Sequence, residues 1–289
     1  MAVYKRSYQG YDGPQTSEWS RFAIIPRYAY RGLFQSKIMT AFFVLCFVPP
    51  IIFLALIYVA DNFASLAQLV RANQAGGSPI SINGNFFLSF LNFQAGLAFI
   101  LTAFVGPSLV SSDLANRALP LYLSRPFSRA EYVLGKMSVL VILLSLITWV
   151  PGLILFIIHS SLMGRTWFVD NAWIAWAIFA SAVIWILIIA LLALALSAWI
   201  KWRIAAGALL LAVFFVAAGF GEAINAVLDV HWGKLINLMY LLETIWRQLF
   251  RVPEGSDITA ASAWIVLGLI CWACLALLGR KVRAVEVVR

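Results

Sequence analysis

The sequence has few charged residues. Asp, Glu, Lys and Arg together make up 11% of its 289 residues, whereas 63% are apolar and the mean hydropathy is +0.92. Soluble domains usually carry about 25% charged residues. The composition therefore excludes an ordinary soluble domain and predicts an integral membrane protein.

Side chains suited to redox chemistry or metal binding are also rare, since the chain has three cysteines and two histidines. Cys46 lies in one apolar stretch, and Cys271 and Cys274 lie in another, where packing is expected more than disulfide or redox chemistry. His159 and His231 are isolated from each other and do not suggest a metal-binding pair. No catalytic constellation emerges, and we expect no cofactor bound directly to this chain.

The sequence lacks the Gly-x-x-x-x-Gly-Lys-Ser/Thr pattern whose backbone amides and Lys bind nucleotide phosphates. Gly135-Lys136 is followed by Met137, and the earlier glycine position is occupied by Ala130. We therefore expect that the chain does not hydrolyse ATP itself and is not an enzyme.

Six long apolar stretches are present, and each could form a transmembrane helix, which needs about 20 residues to cross a hydrocarbon core of about 30 Å. The predicted fold is an all-α, polytopic membrane protein with six transmembrane helices. The predicted spans 1 to 6 are residues 38–60, 86–110, 132–158, 172–200, 204–221 and 261–279. Prolines at positions 49–50, 107 and 151 interrupt spans 1, 2 and 3, as hinges or as static kinks.

Lys and Arg are unevenly distributed between the two sides that six spans define. Sixteen of the 21 fall on the side that holds residues 1–37, the 2–3 and 4–5 connections, and residues 280–289. Cytoplasmic loops carry an excess of Lys and Arg. We therefore expect both termini in the cytoplasm, with residues 1–37 as an N-terminal segment and 280–289 as a tail. Because the basic charge follows the topology, no nucleic-acid partner is expected.

The N-terminal segment predicts an amphipathic interfacial helix. Between residues 19 and 34 apolar residues recur near helical spacing, with Arg27 and Arg31 between them. We expect this helix to lie on the cytoplasmic leaflet; an ordinary basic tail is the alternative. Pro26 favours two short pieces, or a helix that starts near it, over one long helix.

The connection between spans 5 and 6 also contains an apolar stripe at helical spacing, between residues 235 and 249. It predicts one or two amphipathic helices at the outer leaflet. Gly219 and Gly221 favour a break in the chain at the end of span 5.

Ionisable residues are nearly absent from the predicted spans, which disfavours a secondary carrier, because such carriers usually need them for coupling. Lys136 is expected to extend its amine to the cytoplasmic surface. Three further polar residues are candidates for a transport pathway or a dimer interface: Asn92, Gln94 and Glu222.

The predicted cytoplasmic connection between spans 2 and 3 is far more apolar than a solvated loop needs, so we expect it to dock on another surface. The apolar residues that lead to this expectation are Leu114, Leu119, Leu121, Leu123 and Phe127.

The run Leu-Tyr-Leu-Ser-Arg-Pro-Phe-Ser-Arg-Ala-Glu-Tyr-Val-Leu-Gly-Lys, at residues 121–136, resembles the cytoplasmic loop of ABC-2 type permeases, the membrane subunits of certain ABC transporters. One departure is Arg117-Ala118, where that family often has Gly-Thr. The residues at matching positions are Asp113, Ser124, Arg125, Pro126, Ser128, Arg129, Gly135 and Lys136.

The resemblance implies that residues 114–127 form a coupling helix seated on a separate ATP-binding cassette subunit, which binds ATP and Mg. It implies that Arg117, Arg125 and Pro126 join the five apolar residues in this contact. It further implies pairing with a second permease copy or a related permease, location in the inner (plasma) membrane, and activity as an exporter. The alternative functions are a non-transporting membrane scaffold or assembly factor and, less favoured, a secondary carrier.

Overall fold

The computed structural model describes residues 18–70, 81–116, 129–200, 202–253 and 258–281. All regular elements in these ranges are helical. They are α1 (Glu18–Leu33), α2 (Lys37–Leu45), α3 (Val48–Val70), α4 (Gly84–Ala115), α5 (Arg129–Ile147), α6 (Trp149–Met163), α7 (Arg165–Trp199), α8 (Arg203–Leu228), a 3-10 helix (Trp232–Ile236), α9 (Leu238–Leu249) and α10 (Ala260–Lys281).

Six helical stretches in the described part of the chain are long and apolar enough to cross a membrane, which confirms the predicted all-α class and number of spans. Spans 1 and 3 each consist of two consecutive helices, α2–α3 and α5–α6. Spans 1 to 6 are Lys37–Asn62, Gly84–Ser111, Glu131–Met163, Arg165–Trp199, Arg203–Leu228 and Ala260–Arg280.

Span 4 lies at the centre of the bundle. Of an apolar stretch of 18 residues in span 4, 72% is buried inside the bundle, compared with 22% of the corresponding stretches in spans 1 and 6. Small residues let the backbones approach closely here, as membrane helices commonly do. A Cβ added at Gly106 of span 2 would lie only 2.7 Å from the Cβ of Ala193 in span 4.

The two ends of the bundle are defined by the helix directions. Asp113 at the end of span 2 contacts Lys136 at the start of span 3, and this end also holds α1; we call it the α1 end. The opposite end holds α9 and the junction between spans 3 and 4.

Spans 1 and 3 are each broken into two helices near prolines, whereas span 2 contains a proline and is one continuous helix. Pro49 and Pro50 lie in the first turn of α3, and Pro151 lies in the first turn of α6, where the missing proline N–H is tolerated. Pro107 instead remains inside the continuous helix α4.

Helix α1 runs from Glu18 to Leu33 without a break at Pro26, so the predicted division or late start is wrong. Helix α5 packs against α1 on both sides of Pro26. The Tyr30 hydroxyl donates a hydrogen bond of 2.8 Å to the carbonyl of Val139, and Ile25 packs so tightly on Gly135 that an added Cβ would lie 2.7 Å from it.

Span 5 continues to Leu228 as α8, so the predicted break at Gly219 and Gly221 is wrong. Gly221 serves close packing: a Cβ there would lie 2.5 Å from the carbonyl oxygen of Gly233 in the 3-10 helix. Helix α9 follows and buries its apolar face, with Trp246 edge-on to Trp185 of span 4 at 6.0 Å between ring centres.

Candidate functional site

Most of the predicted docking loop lies outside the described residues. Leu114 belongs to the described backbone, as part of α4. The remaining predicted docking residues, outside the described ranges, are Arg117, Leu119, Leu121, Leu123, Arg125, Pro126 and Phe127.

A buried polar cluster holds the two ends of this loop together. The Lys136 amine of span 3 lies 2.8 Å from Oδ2 of Asp113 in α4, and the Tyr132 hydroxyl donates to the same oxygen at 2.7 Å. The lysine and aspartate side chains are only 10% and 15% exposed. Lys136 therefore forms an ion pair between spans 2 and 3. The sequence had predicted instead that its amine extends to the surface.

Helix α1 is attached to the same region of span 3. The Tyr30 hydroxyl bonds to the Val139 carbonyl one turn beyond Lys136, and burial raises the pKa of Tyr30 to about 12. Helix α1, the end of span 2 and the start of span 3 therefore form one packed unit at the α1 end.

A second polar site lies deeper in the bundle, at Gln94 of span 2. This residue is completely buried, and its amide nitrogen donates hydrogen bonds to the carbonyls of Cys46 at 3.1 Å and Ile147 at 2.5 Å. Cys46 ends α2 in span 1, and Ile147 ends α5 in span 3. One side chain thus joins three spans at the two helix breaks.

The two carbonyls need a donor because of the prolines that follow them. In an α-helix a carbonyl accepts from the N–H four residues later, and those positions are Pro50 for Cys46 and Pro151 for Ile147. In hydrocarbon an unpaired carbonyl costs several kcal/mol. The Gln94 amide supplies the two N–H groups that the prolines lack.

Pro107, in span 2, also leaves a carbonyl without its helical donor, at a different contact. Pro107 cannot donate to the carbonyl of Ala103, which faces Gly207 of span 5; a Cβ added to Gly207 would lie 2.6 Å from that oxygen. Only a glycine allows so close an approach, which permits a weak Cα–H···O contact. The prolines of spans 1, 2 and 3 therefore direct backbone carbonyls toward neighbouring spans.

The other two predicted pathway or dimer residues lie elsewhere. Asn92 is exposed on span 2, next to the exposed ring of Phe93, and Glu222 is exposed near the end of span 5 opposite to α1. Gln94, in contrast, is engaged inside the chain. A role of these residues in transport or dimerisation stays a prediction.

A second acid–base pair, which the sequence patterns did not predict, lies at the end opposite to α1. His159 Nδ1 lies 3.4 Å from Asp61 Oδ2, with side chains 2% and 13% exposed, and the imidazole packs edge-on against Trp167. Within the described structure neither atom has a well-formed hydrogen bond. The predicted span 1 ends at residue 60 and therefore excludes Asp61. Spans 1 and 3 run in the same direction, which brings Asp61 and His159 to the same end of the bundle.

The described residues contain no group of three or more His, Cys, Asp or Glu side chains that could hold a metal ion. Cys46, Cys271 and Cys274 are free thiols within spans. The chemistry that the described site offers is hydrogen bonding and ion pairing between helices.

No protein-family model matches the chain, and no curated protein matches it. The six long apolar helical stretches among the described residues indicate a multi-pass membrane protein.

Proposed function

We propose that the chain is the membrane-spanning permease subunit of an ATP-driven ABC transporter that acts as an exporter in the inner (plasma) membrane. A separate cassette subunit binds ATP and Mg and hydrolyses ATP, and a second permease copy or a related permease completes the membrane part. The proposal starts from the resemblance of residues 113–136 to the loop of ABC-2 permeases.

The observation that carries the proposal is the cluster of Asp113, Lys136 and Tyr132. It clamps the points where the loop leaves span 2 and re-enters span 3, with contacts of 2.7 and 2.8 Å. A loop held in this way transmits a displacement to both spans, whereas a loop on flexible stems would absorb it.

The Gln94 site offers a route for that displacement into the bundle. When span 2 moves, its amide moves relative to the helix breaks at Cys46 and Ile147. Broken helices bend at lower cost than continuous ones because the hydrogen-bond ladder is already interrupted. Closure of the cassettes would therefore change the packing of spans 1 and 3 around span 2.

In this proposal the α1 end faces the cytoplasm, because the six-span topology assigns sixteen of the 21 Lys and Arg residues to that side of the membrane. Helix α1 then lies along the cytoplasmic leaflet, and the 3-10 helix and α9 belong to the outer half of the membrane.

The test is coexpression with a candidate cassette subunit, followed by copurification and ATPase assays. Substitution Leu119→Asp together with Leu123→Asp should abolish the complex, because two carboxylates cannot be buried in an apolar contact. Val227→Asp, at an exposed position near the other end of span 5, is the matched control and should leave the complex intact. A complex that survives both loop substitutions would show that the docking assignment is wrong.

One observation favours a secondary carrier as the second candidate. The buried pair of Asp61 and His159 is the kind of intramembrane acid–base chemistry that proton-coupled carriers use. Substrate uptake by the purified chain alone, driven by an ion gradient and lost in Asp61→Asn, would support this candidate. A scaffold or assembly factor would show neither gradient-driven uptake nor binding to a cassette.

A further inference from the structure

An open groove runs along the outside of the bundle at the α1 end. Its volume is about 640 Å³, and it lies between the α1–α2 junction, span 2 and span 5. Gly207 of span 5 and Ala103 of span 2, whose backbones meet directly, both line it. The groove faces the region that lipid fills around a membrane protein.

The groove is mainly apolar, with polar residues at one end, its polar end, opposite an apolar end. Ser36 and Arg203 line the polar end, nearest to the α1 end of the bundle and beside the apolar Ile38 and Ile204, whereas Ile100 and Leu211 line the groove toward the middle of the bundle. From Arg203 to Leu211 the helix rises about 12 Å. The polarity therefore changes along the groove in the direction of the membrane normal, from boundary to hydrocarbon.

The charge at the polar end is positive. Among the described residues that line the groove, Arg203 carries a formal charge, and it is exposed. Lys37, also exposed, follows Ser36 directly in the chain. The Ser36 hydroxyl oxygen accepts from the Met39 N–H at 3.5 Å, which leaves the hydroxyl hydrogen to donate elsewhere. These groups suit an anion with several oxygen acceptors, as a phosphate is.

We propose that this groove binds one anionic phospholipid from the leaflet at the α1 end. An acyl chain lies along Ile100, Phe104 and Leu211, and the phosphate contacts Arg203 and the Ser36 hydroxyl. A wholly apolar occupant would make no contact with the charge of Arg203, and a soluble anion would leave the apolar end of the groove empty. The inference does not depend on the ATPase partner in the proposed function.

The experiment is native mass spectrometry of the purified full chain with phosphatidylglycerol, with phosphatidylcholine of the same acyl chains, and with glycerol phosphate. We expect one phosphatidylglycerol to bind preferentially and glycerol phosphate not to bind. Arg203→Gln should weaken phosphatidylglycerol binding by about fivefold, the factor that corresponds to about 1 kcal/mol per basic residue at a membrane surface. Arg203→Lys should restore most of it, and Arg165→Gln, at the opposite end, should have no effect.

A second variant tests the groove itself. Ala208 lines it and is exposed, so Ala208→Trp should fill the space and abolish binding of both phospholipids, whereas Val216→Trp on the exposed face of the same helix should not. Equal binding of the two phospholipids, or unchanged binding in Ala208→Trp, would overturn the proposal. Loss of a dimer in Ala208→Trp, with lipid binding retained, would identify a second copy as the occupant instead.

Discussion

An unpaired carbonyl inside a span costs several kcal/mol, so a proline in a membrane helix creates a demand that a neighbouring group must meet. Gln94 meets two such demands at once, at Cys46 and Ile147. Its own Oε1 has no hydrogen-bond partner among the described residues, so donation by the amide nitrogen is what holds it in place.

Gln94→Leu should destabilise the protein by about 2 kcal/mol or more, because it leaves two buried acceptors unsatisfied at about 1–3 kcal/mol each. Thermal unfolding in detergent measures this. Asn92→Leu removes an exposed amide from the same helix and should change stability by less than about 0.5 kcal/mol.

Replacing the two prolines tests more strictly whether the Gln94 amide compensates for their missing N–H groups. In a chain that carries Pro50→Ala and Pro151→Ala, the new backbone N–H groups can reach the Cys46 and Ile147 carbonyls. Gln94→Leu should then cost clearly less than it does in the wild-type chain. Equal costs in both backgrounds would show that the amide does not compensate for the prolines.

The ion pair between Asp113 and Lys136 joins two elements, since it lies at the end of span 2 and the start of span 3. Asp113→Asn or Lys136→Met alone should destabilise by about 3 kcal/mol, because each leaves a charge in a poorly solvated site. The double variant should cost less than the two single variants together, as measured by a double-mutant cycle in the same detergent. Additive effects would mean that the two side chains do not interact.

The junction between spans 3 and 4 is a single residue, Gly164, with a φ of 91° between α6 and α7. Because no atom lies within 4 Å of an added Cβ, Gly164→Ala tests backbone conformation alone and should cost about 1–3 kcal/mol. Gly268→Ala in α10 has equally open surroundings but lies inside a helix, so it should be neutral or stabilising by up to about 1 kcal/mol. If both variants unfold at the same temperature, the strained junction is not required.

At the scale of the whole molecule, the predicted orientation can be tested with single cysteines, after Cys46, Cys271 and Cys274 are replaced by alanine. Asn116→Cys lies at the α1 end and Arg165→Cys at the opposite end, and both positions are exposed. A membrane-impermeant maleimide should label Arg165→Cys in intact cells and Asn116→Cys only after permeabilisation. The reverse pattern would invert the topology and exclude docking of the loop on a cytoplasmic ATPase.

Sequence by itself determined the class and the number of spans. The hydrocarbon core requires long apolar stretches whose backbone groups are paired internally, and this requirement is local, so it is written in consecutive residues. For the same reason the start of span 4 was less well predicted, at residue 172, whereas the span begins at Arg165. The first turns of α7 contain Arg165, Asp170 and Asn171, which a search for apolar runs excludes, although the helix includes them.

Only the tertiary structure decided which polar groups meet. Gln94 is 48 and 53 residues from its two acceptors, and Tyr30 lies 109 residues before Val139. The Asp61–His159 pair and the continuous helix at Pro26 likewise depend on neighbours that are distant in sequence. Hydropathy and spacing describe each helix separately, whereas the pairing of a carbonyl or carboxylate inside a bundle depends on how the helices pack against one another.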